Sequence, residues 1–450
     1  MKIFLAQQSR SRVAALALAG SFASLFLIAP PSAFAVHGEC SQPVSNGDGP
    51  AASDCLRILQ VAVGSASCSP ECLCAPLGGE NAAASDALVC LKKAVGQNVP
   101  LACACSFVRV HYPAGERTMS FRARPVGSGP TAGPGTPCTE PKPDLWICNL
   151  GILTGEWSGK PRLDDDDDPW GANWNVHVPG SLDVFPFYSD STGRVEILPA
   201  VASPPLATAR NVAVYLPPSY DENTAKDYPI LFMQDGQDLF DAALAFGGVE
   251  WQADEAMLAL ARDGSIVESI IVAPYSTAQR IGDYTPTHDP GFAGSGNGDL
   301  YLDFLLDELA PKIASMYRVD PSAKPSIAGA SLGALVAAYG AWTRWPEFRS
   351  VAALSPSLYW DNEYVNTLIA DDTTAHGGLK IYLDVGDAES AESVELASEL
   401  STTLQGKGWE PSTDLLHLVV GGGQHNNSSW AQRLPIALAF ILQDPDRIPK

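Results

Sequence analysis

The pentapeptide Gly329-Ala330-Ser331-Leu332-Gly333 constrains the chain more than any other stretch. A short apolar run, Ser326 to Ala328, leads into it and a small-residue helical pattern from Ala334 to Trp342 follows, so the context reads strand, tight turn, helix. That is the setting of a G-x-S-x-G elbow. Glycine flanks the serine because a Cβ at either position would collide with the adjoining strand and helix, and the turn holds the serine at a strained backbone angle. Ser331 then stands at a helix N-terminus, where the Leu332 N–H and the positive end of the dipole face a developing oxyanion. A glycine-rich turn that only packs closely would show the same five residues, and what lies downstream separates the two.

From Asn211 onwards strands and helices alternate. Asn211 to Leu216, Pro229 to Met233, Ser269 to Ala273, Val351 to Leu354, Lys380 to Val385 and Leu415 to Val420 read as strands. Trp251 to Arg262 and Leu300 to Tyr317 read as amphipathic helices. Such alternation predicts an α/β fold with a mostly parallel sheet covered on both faces, and ligands beyond the carboxyl ends of its strands.

Of seven histidines, His425 alone follows the last strand through a flexible turn, Gly421-Gly422-Gly423-Gln424. His417 alternates within that strand, and His37, His111, His177, His288 and His376 lack a strand immediately before them in this half or lie outside it. An acid is expected between serine and histidine at a strand end, and Gly386-Asp387-Ala388-Glu389 supplies two, Asp387 and Glu389. The order Ser, acid, His, each after a strand, is the pattern of a hydrolytic triad.

The rest of the chain bounds the setting. Residues 1–35 read as a secretory signal peptide, with Lys2, Arg10 and Arg12 ahead of an apolar stretch and Ala33-Phe34-Ala35 at its end. No later stretch is apolar enough to span a bilayer. The 28 Lys+Arg against 51 Asp+Glu give a net charge of −23, which argues against nucleic-acid and anionic-lipid partners. One acidic run, Asp164 to Asp168, reads as a solvated loop rather than a metal site. All ten cysteines fall between Cys40 and Cys148, which in an exported chain favours disulfides over a zinc site at Cys68, Cys72 and Cys74.

Within residues 36–106 a unit recurs after 32 positions. Asn46 to Gly49, Ser53-Asp54-Cys55-Leu56 and Ala62-Val63-Gly64 return as Gly78 to Asn81, Ser85-Asp86-Ala87-Leu88 and Ala94-Val95-Gly96. Each unit reads as a polar turn, an N-capping Ser-Asp pair and a short helix. The pair resembles the duplicated loop-helix units of dockerin-like modules, and that resemblance implies protein docking and names Asp48, Asp54, Glu80 and Asp86 as weak calcium ligands. A disulfide-stapled spacer is the alternative. Residues 107–200 alternate as short strands between Gly/Pro-rich turns and carry Trp146, Trp157, Trp170 and Trp174, so a small β-sandwich is expected there. Those tryptophans either pack or present a sugar-stacking face, and the sandwich could overhang the catalytic cleft.

In residues 201–450 a more specific likeness is carried by Tyr215-Leu216-Pro217-Pro218-Ser219-Tyr220 and Tyr228 to Phe240. Arg280 with Asp283 to Pro286, the elbow, Tyr382 to Gly386, and Gly422-Gly423-Gln424-His425 with Trp430 and Arg433 extend it. The stretch resembles the esterase family of α/β hydrolases that contains enterochelin esterases, S-formylglutathione hydrolases, feruloyl esterases and mycolyltransferases. That resemblance implies an α/β-hydrolase fold, Ser331 as nucleophile, His425 as base, and an acid after Gly386, with Glu389 favoured over Asp387. It also implies an oxyanion hole from Leu332 and Gln237, a substrate pocket near Asp235, Gly236, Phe246, Trp251, Arg280 and Tyr284, and no required cofactor. Carbohydrate esters, siderophore esters and acyl transfer are all open to such a site. So is a non-catalytic binding role on the same fold.

Overall fold

A computed structural model describes residues 40–42, 50–68, 71–77, 82–101, 103, 105–128 and 135–447. The signal-peptide segment 1–35, Asp48 and Glu80 lie outside the described residues. No described helix is long and apolar enough to cross a membrane.

The N-terminal unit is two helices, Ala52–Ala62 and Ala84–Ala94, joined by a Cys55–Cys90 disulfide. Cys40–Cys103, Cys68–Cys74 and Cys72–Cys105 tie the surrounding chain, so Cys68, Cys72 and Cys74 are spoken for as disulfide partners. The capping differs from the expected Ser-Asp pair. Ala51 and Ala83 are the N-caps, and the acids sit at the third helical position, where Asp54 accepts the Ala51 N–H at 2.7 Å and Asp86 the Ala83 N–H at 2.8 Å. Both acids are buried and turned toward backbone donors that a helix start leaves unpaired. The buried sides, with Ile58, Ala87 and the cysteines, form a small core.

Two four-stranded sheets follow and share one apolar core that includes Val108, Phe121, Leu163 and Val184. A fifth disulfide, Cys138–Cys148, lies here. Trp146 and Trp174 are buried in that core, and Trp174 carries the Arg447 guanidinium 3.6 Å from its ring centre. Trp170 packs beneath Arg262 of the large domain. These tryptophans serve core and interface. The acidic run is exposed yet paired, Asp164 and Asp167 with Arg117 and Asp168 with Arg162.

The large sheet has eight strands. Their spatial order is Leu415–Val420, Lys380–Gly386, Ser350–Leu354, Ser326–Ala330, Ile230–Met233, Ile270–Pro274, Thr208–Leu216 and Arg194–Ser203. The first six are mutually parallel, and the last two add antiparallel pairings at one edge. Strand Arg194–Ser203 begins before residue 201, so the large sheet recruits chain that length and alternation had placed with the sandwich. Along it buried and exposed residues mix, as on any sheet edge.

Strand Ile230–Met233 pairs with Ile270–Pro274 on one side and Ser326–Ala330 on the other, and after forming Ile270–Pro274 the chain crosses back past Ile230–Met233 to build Ser326–Ala330. That strand end is the topological switch point where an open α/β sheet forms its crevice. The helix expected from Leu300 to Tyr317 is continuous but changes pitch. Gly298–Asp303 and Ala310–Met316 are α-helical and Phe304–Leu309 between them is a π segment. Pro311 has no N–H to give the carbonyl one turn back, and the wider turn lies immediately before it.

Candidate active site

Ser331 occupies the turn between strand Ser326–Ala330 and helix Leu332–Thr343 with φ 58° and ψ −124°, a region L-residues rarely enter. The glycines explain how the turn fits. A Cβ on Gly329 would stand 2.6 Å from the Gly333 carbonyl group, and one on Gly333 would stand 3.0 Å from Gln234 Cβ. The Ser331 N–H donates to the Leu354 carbonyl at 3.1 Å, which pins the turn to the next strand.

His425 reaches over from the loop after the last strand. Its Nε2 is 2.8 Å from Ser331 Oγ and its Nδ1 is 2.8 Å from Glu389 Oε2. Glu389 is almost fully buried, while the His425 ring keeps one side open to solvent. Burial works to raise the Glu389 carboxyl, but hydrogen bonds from His425, Ser355 Oγ at 2.6 Å and the Gly386 N–H at 2.8 Å outweigh it and hold it below the usual range. Asp387, the other acid considered, points away and accepts the Gly422 N–H at 2.6 Å. It shapes the loop that carries His425 and does not touch the imidazole.

The remaining described histidines are engaged elsewhere. His111 stacks on Phe185 and pairs with Asp183, and His376 stacks on Trp342. His288 lies 3.2 Å from Ser295 Oγ, and His177 is 3.4 Å from Asp446. His417 is fixed in its strand, where burial lowers its pKa.

A cavity of about 700 Å³ opens beside Ser331 and His425. Asp235, Gln237, Phe246, Trp251 and Arg280, all expected there, line it, joined by Asp238, Ser276, Asn427 and Trp430. Tyr284 does not. It is fully buried behind the wall, and its hydroxyl accepts the Asp235 N–H at 3.1 Å. Gly236 is buried too, its backbone pressed against the Ala273 carbonyl. Asp235 and Arg280 form a two-pronged ion pair at 2.7 and 2.9 Å. Burial opposes the Arg280 charge, yet the Asp235 pair prevails and raises its pKa. Among the described residues, none from the sandwich lines the cavity. The sandwich packs elsewhere, where Asn223 Nδ2 donates to the His111 carbonyl and Arg447 Nη1 to the Trp170 and Ala172 carbonyls.

Leu332 is the first residue of its helix, so its N–H has no intrahelical acceptor. Gln237 sits in the short turn after strand Ile230–Met233, and its side-chain amide is held by Ser276 at 2.9 Å. Over the cavity runs the loop from Leu244 to Glu250, with Phe246 85% exposed and Gly247 and Gly248 both at φ 72°. Asp238 and Asn427 hold it: Asp238 Oδ1 accepts the Phe246 N–H at 2.6 Å, and Asn427 Nδ2 donates to the Val249 carbonyl at 2.9 Å. Burial pushes the Asp238 carboxyl above its usual range. Sequence reasoning missed Asp238, Asn427, Ser276 and Ser355. The strand order could have found Ser355, because its strand neighbours the one that ends at Ser331.

Among the described residues no group of three or more His, Cys, Asp or Glu is arranged to hold a metal ion. The siderophore triacetylfusarinine C esterase of Aspergillus fumigatus is 28% identical over 138 residues, which are 30% of this chain and 46% of that protein. The chain thus matches a little under half the length of this curated relative. The BES protein of Bacillus cereus superposes with a TM-score of 0.45 at 20% identity, covering 57% of this chain and 97% of that one. The enterobactin esterase FES of Shigella flexneri, solved with enterobactin, gives 0.44 at 16% identity, covering 72% and 87%. Likeness at this level says nothing of substrate. The family model described as "Putative esterase" matches residues 203–441, more than half of the chain and the stretch that holds every cavity residue named above, and the chain belongs to that esterase family.

Proposed function

We propose that this protein is a secreted serine esterase that hydrolyses carboxylic esters through an acyl-enzyme. The observation that carries the reading is the unbroken hydrogen-bonded path from Ser331 Oγ through His425 to buried Glu389 at the mouth of a cavity. Ser331 Oγ attacks the ester carbonyl as His425 Nε2 takes its proton. The alkoxide leaves with that proton, and water repeats the sequence to free the acid. The Leu332 and Gln237 N–H groups receive the oxyanion, each such donor being worth roughly 10²–10³ in kcat. Protons and electron pairs all come from these side chains and water, so the chemistry asks for no metal or organic cofactor.

Carbohydrate esters are the substrate class we favour, with an aryl or acyl group under Phe246 and the hydroxylated part toward Asp235 and Arg280. Siderophore esters form the second reading, favoured by the triacetylfusarinine C esterase match. Five disulfides and an apolar N-terminal stretch support export. The deciding experiment is turnover of feruloyl, acetyl-xylan, ferric-siderophore and p-nitrophenyl esters, with and without EDTA, alongside fluorophosphonate labelling. No labelling and no turnover of any ester would remove the catalytic reading, and activity lost in EDTA would remove its metal-free form. Phe246→Ala should raise KM for a feruloyl ester about tenfold, the loss of one aromatic contact, and leave acetate esters within about twofold. Equal effects on both esters would take Phe246 out of the pocket.

The helical pair fits a protein-docking role. Leu56 and Leu59 on one helix with Val63 at its C-cap, and Leu88 and Leu91 on the other with Val95 at its C-cap, equivalent positions 32 apart, remain 42–72% exposed. Isolated apolar residues are ordinary on a surface, but a triplet repeated at the same spacing is not. The wild-type protein is expected to be retained on the producing cell's envelope fraction, and changing Leu59 and Leu91 to Glu should abolish that retention without altering turnover. Unchanged retention would exclude this face.

A further inference from the structure

We infer that Ser355 is a positioning residue for the esterase reaction, keeping the Glu389 carboxylate committed to His425 and away from Arg433; the inference rests on the triad reading above. Ser355 is buried and immediately follows strand Ser350–Leu354, in a left-handed conformation with φ 43°. Its N–H donates to the Asp384 carbonyl at 2.9 Å and to Asp384 Oδ1 at 3.1 Å, which fixes the backbone. Its hydroxyl oxygen accepts two hydrogen bonds, from Trp430 Nε1 at 3.1 Å and Arg433 Nη2 at 2.8 Å. An indole N–H and a guanidinium can only donate, so both lone pairs of the hydroxyl are taken and its proton has one outlet. That outlet is Glu389 Oε1, 2.6 Å away. Glu389 Oε2 is thereby turned to His425 Nδ1.

The charges around Glu389 give this arrangement its purpose. His425 faces it from the loop after the last strand, Arg433 from helix Asn427–Ile441, and Asp384, with Tyr382 bonded to it, from strand Lys380–Gly386. Arg433 Nη1 lies 3.2 Å from Asp384 and Nη2 lies 3.7 Å from Glu389 Oε1, just short of a direct bond. The Ser355 hydroxyl bridges that last gap. Without it, the buried guanidinium loses an acceptor and closes on Glu389, and an ion pair there replaces the bond from an uncharged hydroxyl. The carboxylate then stabilises the His425 imidazolium less.

The test compares wild type, Ser331→Ala, Ser355→Ala and Ser355→Gly on p-nitrophenyl acetate across pH, with thermal melts of each. Glycine tolerates φ 43° and removes the same hydroxyl, so it serves if the alanine variant does not fold. Both Ser355 variants should lose about tenfold in kcat with KM within about twofold, and the acid limb of kcat should move about half a unit or more to lower pH. Loss of stability with an unmoved acid limb would reduce Ser355 to a packing residue and overturn the inference. A fully active Ser331→Ala would overturn the esterase reading itself, and the inference with it; an inactive Ser331→Ala beside unaltered Ser355 variants would overturn the inference alone.

Discussion

Ser331→Ala is expected to lower kcat for p-nitrophenyl acetate by about 10⁵- to 10⁶-fold, to background, without loss of the folded state. The magnitude follows from the covalent route: with no oxygen to attack the carbonyl, His425 has no hydroxyl to deprotonate, and the N–H donors and the cavity are left to assist water. Backbone geometry separates this from unfolding. At φ 58° and ψ −124° alanine meets the same restriction as serine, so the alanine variant should melt within a degree or two of wild type. Glycine should do better. Relief of strain is worth about 1–3 kcal/mol, and the added freedom of the unfolded chain costs about 0.4–1 kcal/mol, so Ser331→Gly should be inactive yet more stable than wild type. Thermal melts and turnover measured together check both halves. An active alanine variant would place the nucleophile elsewhere.

Much of this was legible because it depends on local pattern. The strand, turn and helix around Ser331 follow from small residues and two glycines whose absent Cβ atoms make room for neighbouring backbone and Gln234. His425 and the acids after Gly386 stood out because a parallel sheet sends every strand end to one side. What was not legible depends on sheet order and side-chain direction. Tyr284 lies close in sequence to Arg280 but turns behind the wall to hold the Asp235 N–H, and no spacing rule distinguishes the two faces. Ser355 becomes relevant only once its strand is known to lie between those ending at Ser331 and Gly386. The antiparallel edge strand Arg194–Ser203 resembles sandwich strands in composition, so only its pairing with Thr208–Leu216 assigns it.

Between the two acids, Glu389→Gln should lower kcat about 10³- to 10⁴-fold, whereas Asp387→Asn should stay within about threefold. The carboxylate accepts from His425 Nδ1, Ser355 Oγ and the Gly386 N–H, and an amide can present only one oxygen to three donors. With Oε1 kept by Ser355 and Gly386, the amide NH₂ faces His425 and favours the tautomer protonated at Nε2, which cannot take the Ser331 proton. The amide introduced by Asp387→Asn still offers an oxygen to the Gly422 N–H, so that loop is preserved. The change at Glu389 should also alter acid stability with a definite sign. Glu389 titrates below its ordinary 4.5 in the folded protein, so its contribution is present above that pH and is lost as pH falls through the lower folded value. Asp384 has the opposite sign: burial outweighs Arg433 and pushes it up to about 6, so its contribution is fullest below about 3.8 and declines as pH rises toward 6. Removing Glu389 alone therefore leaves a variant whose stability falls less steeply than wild type below pH 4.5, measured by urea melts at stepped pH. An Asp387 variant with the larger loss in kcat would reverse the assignment of the acid.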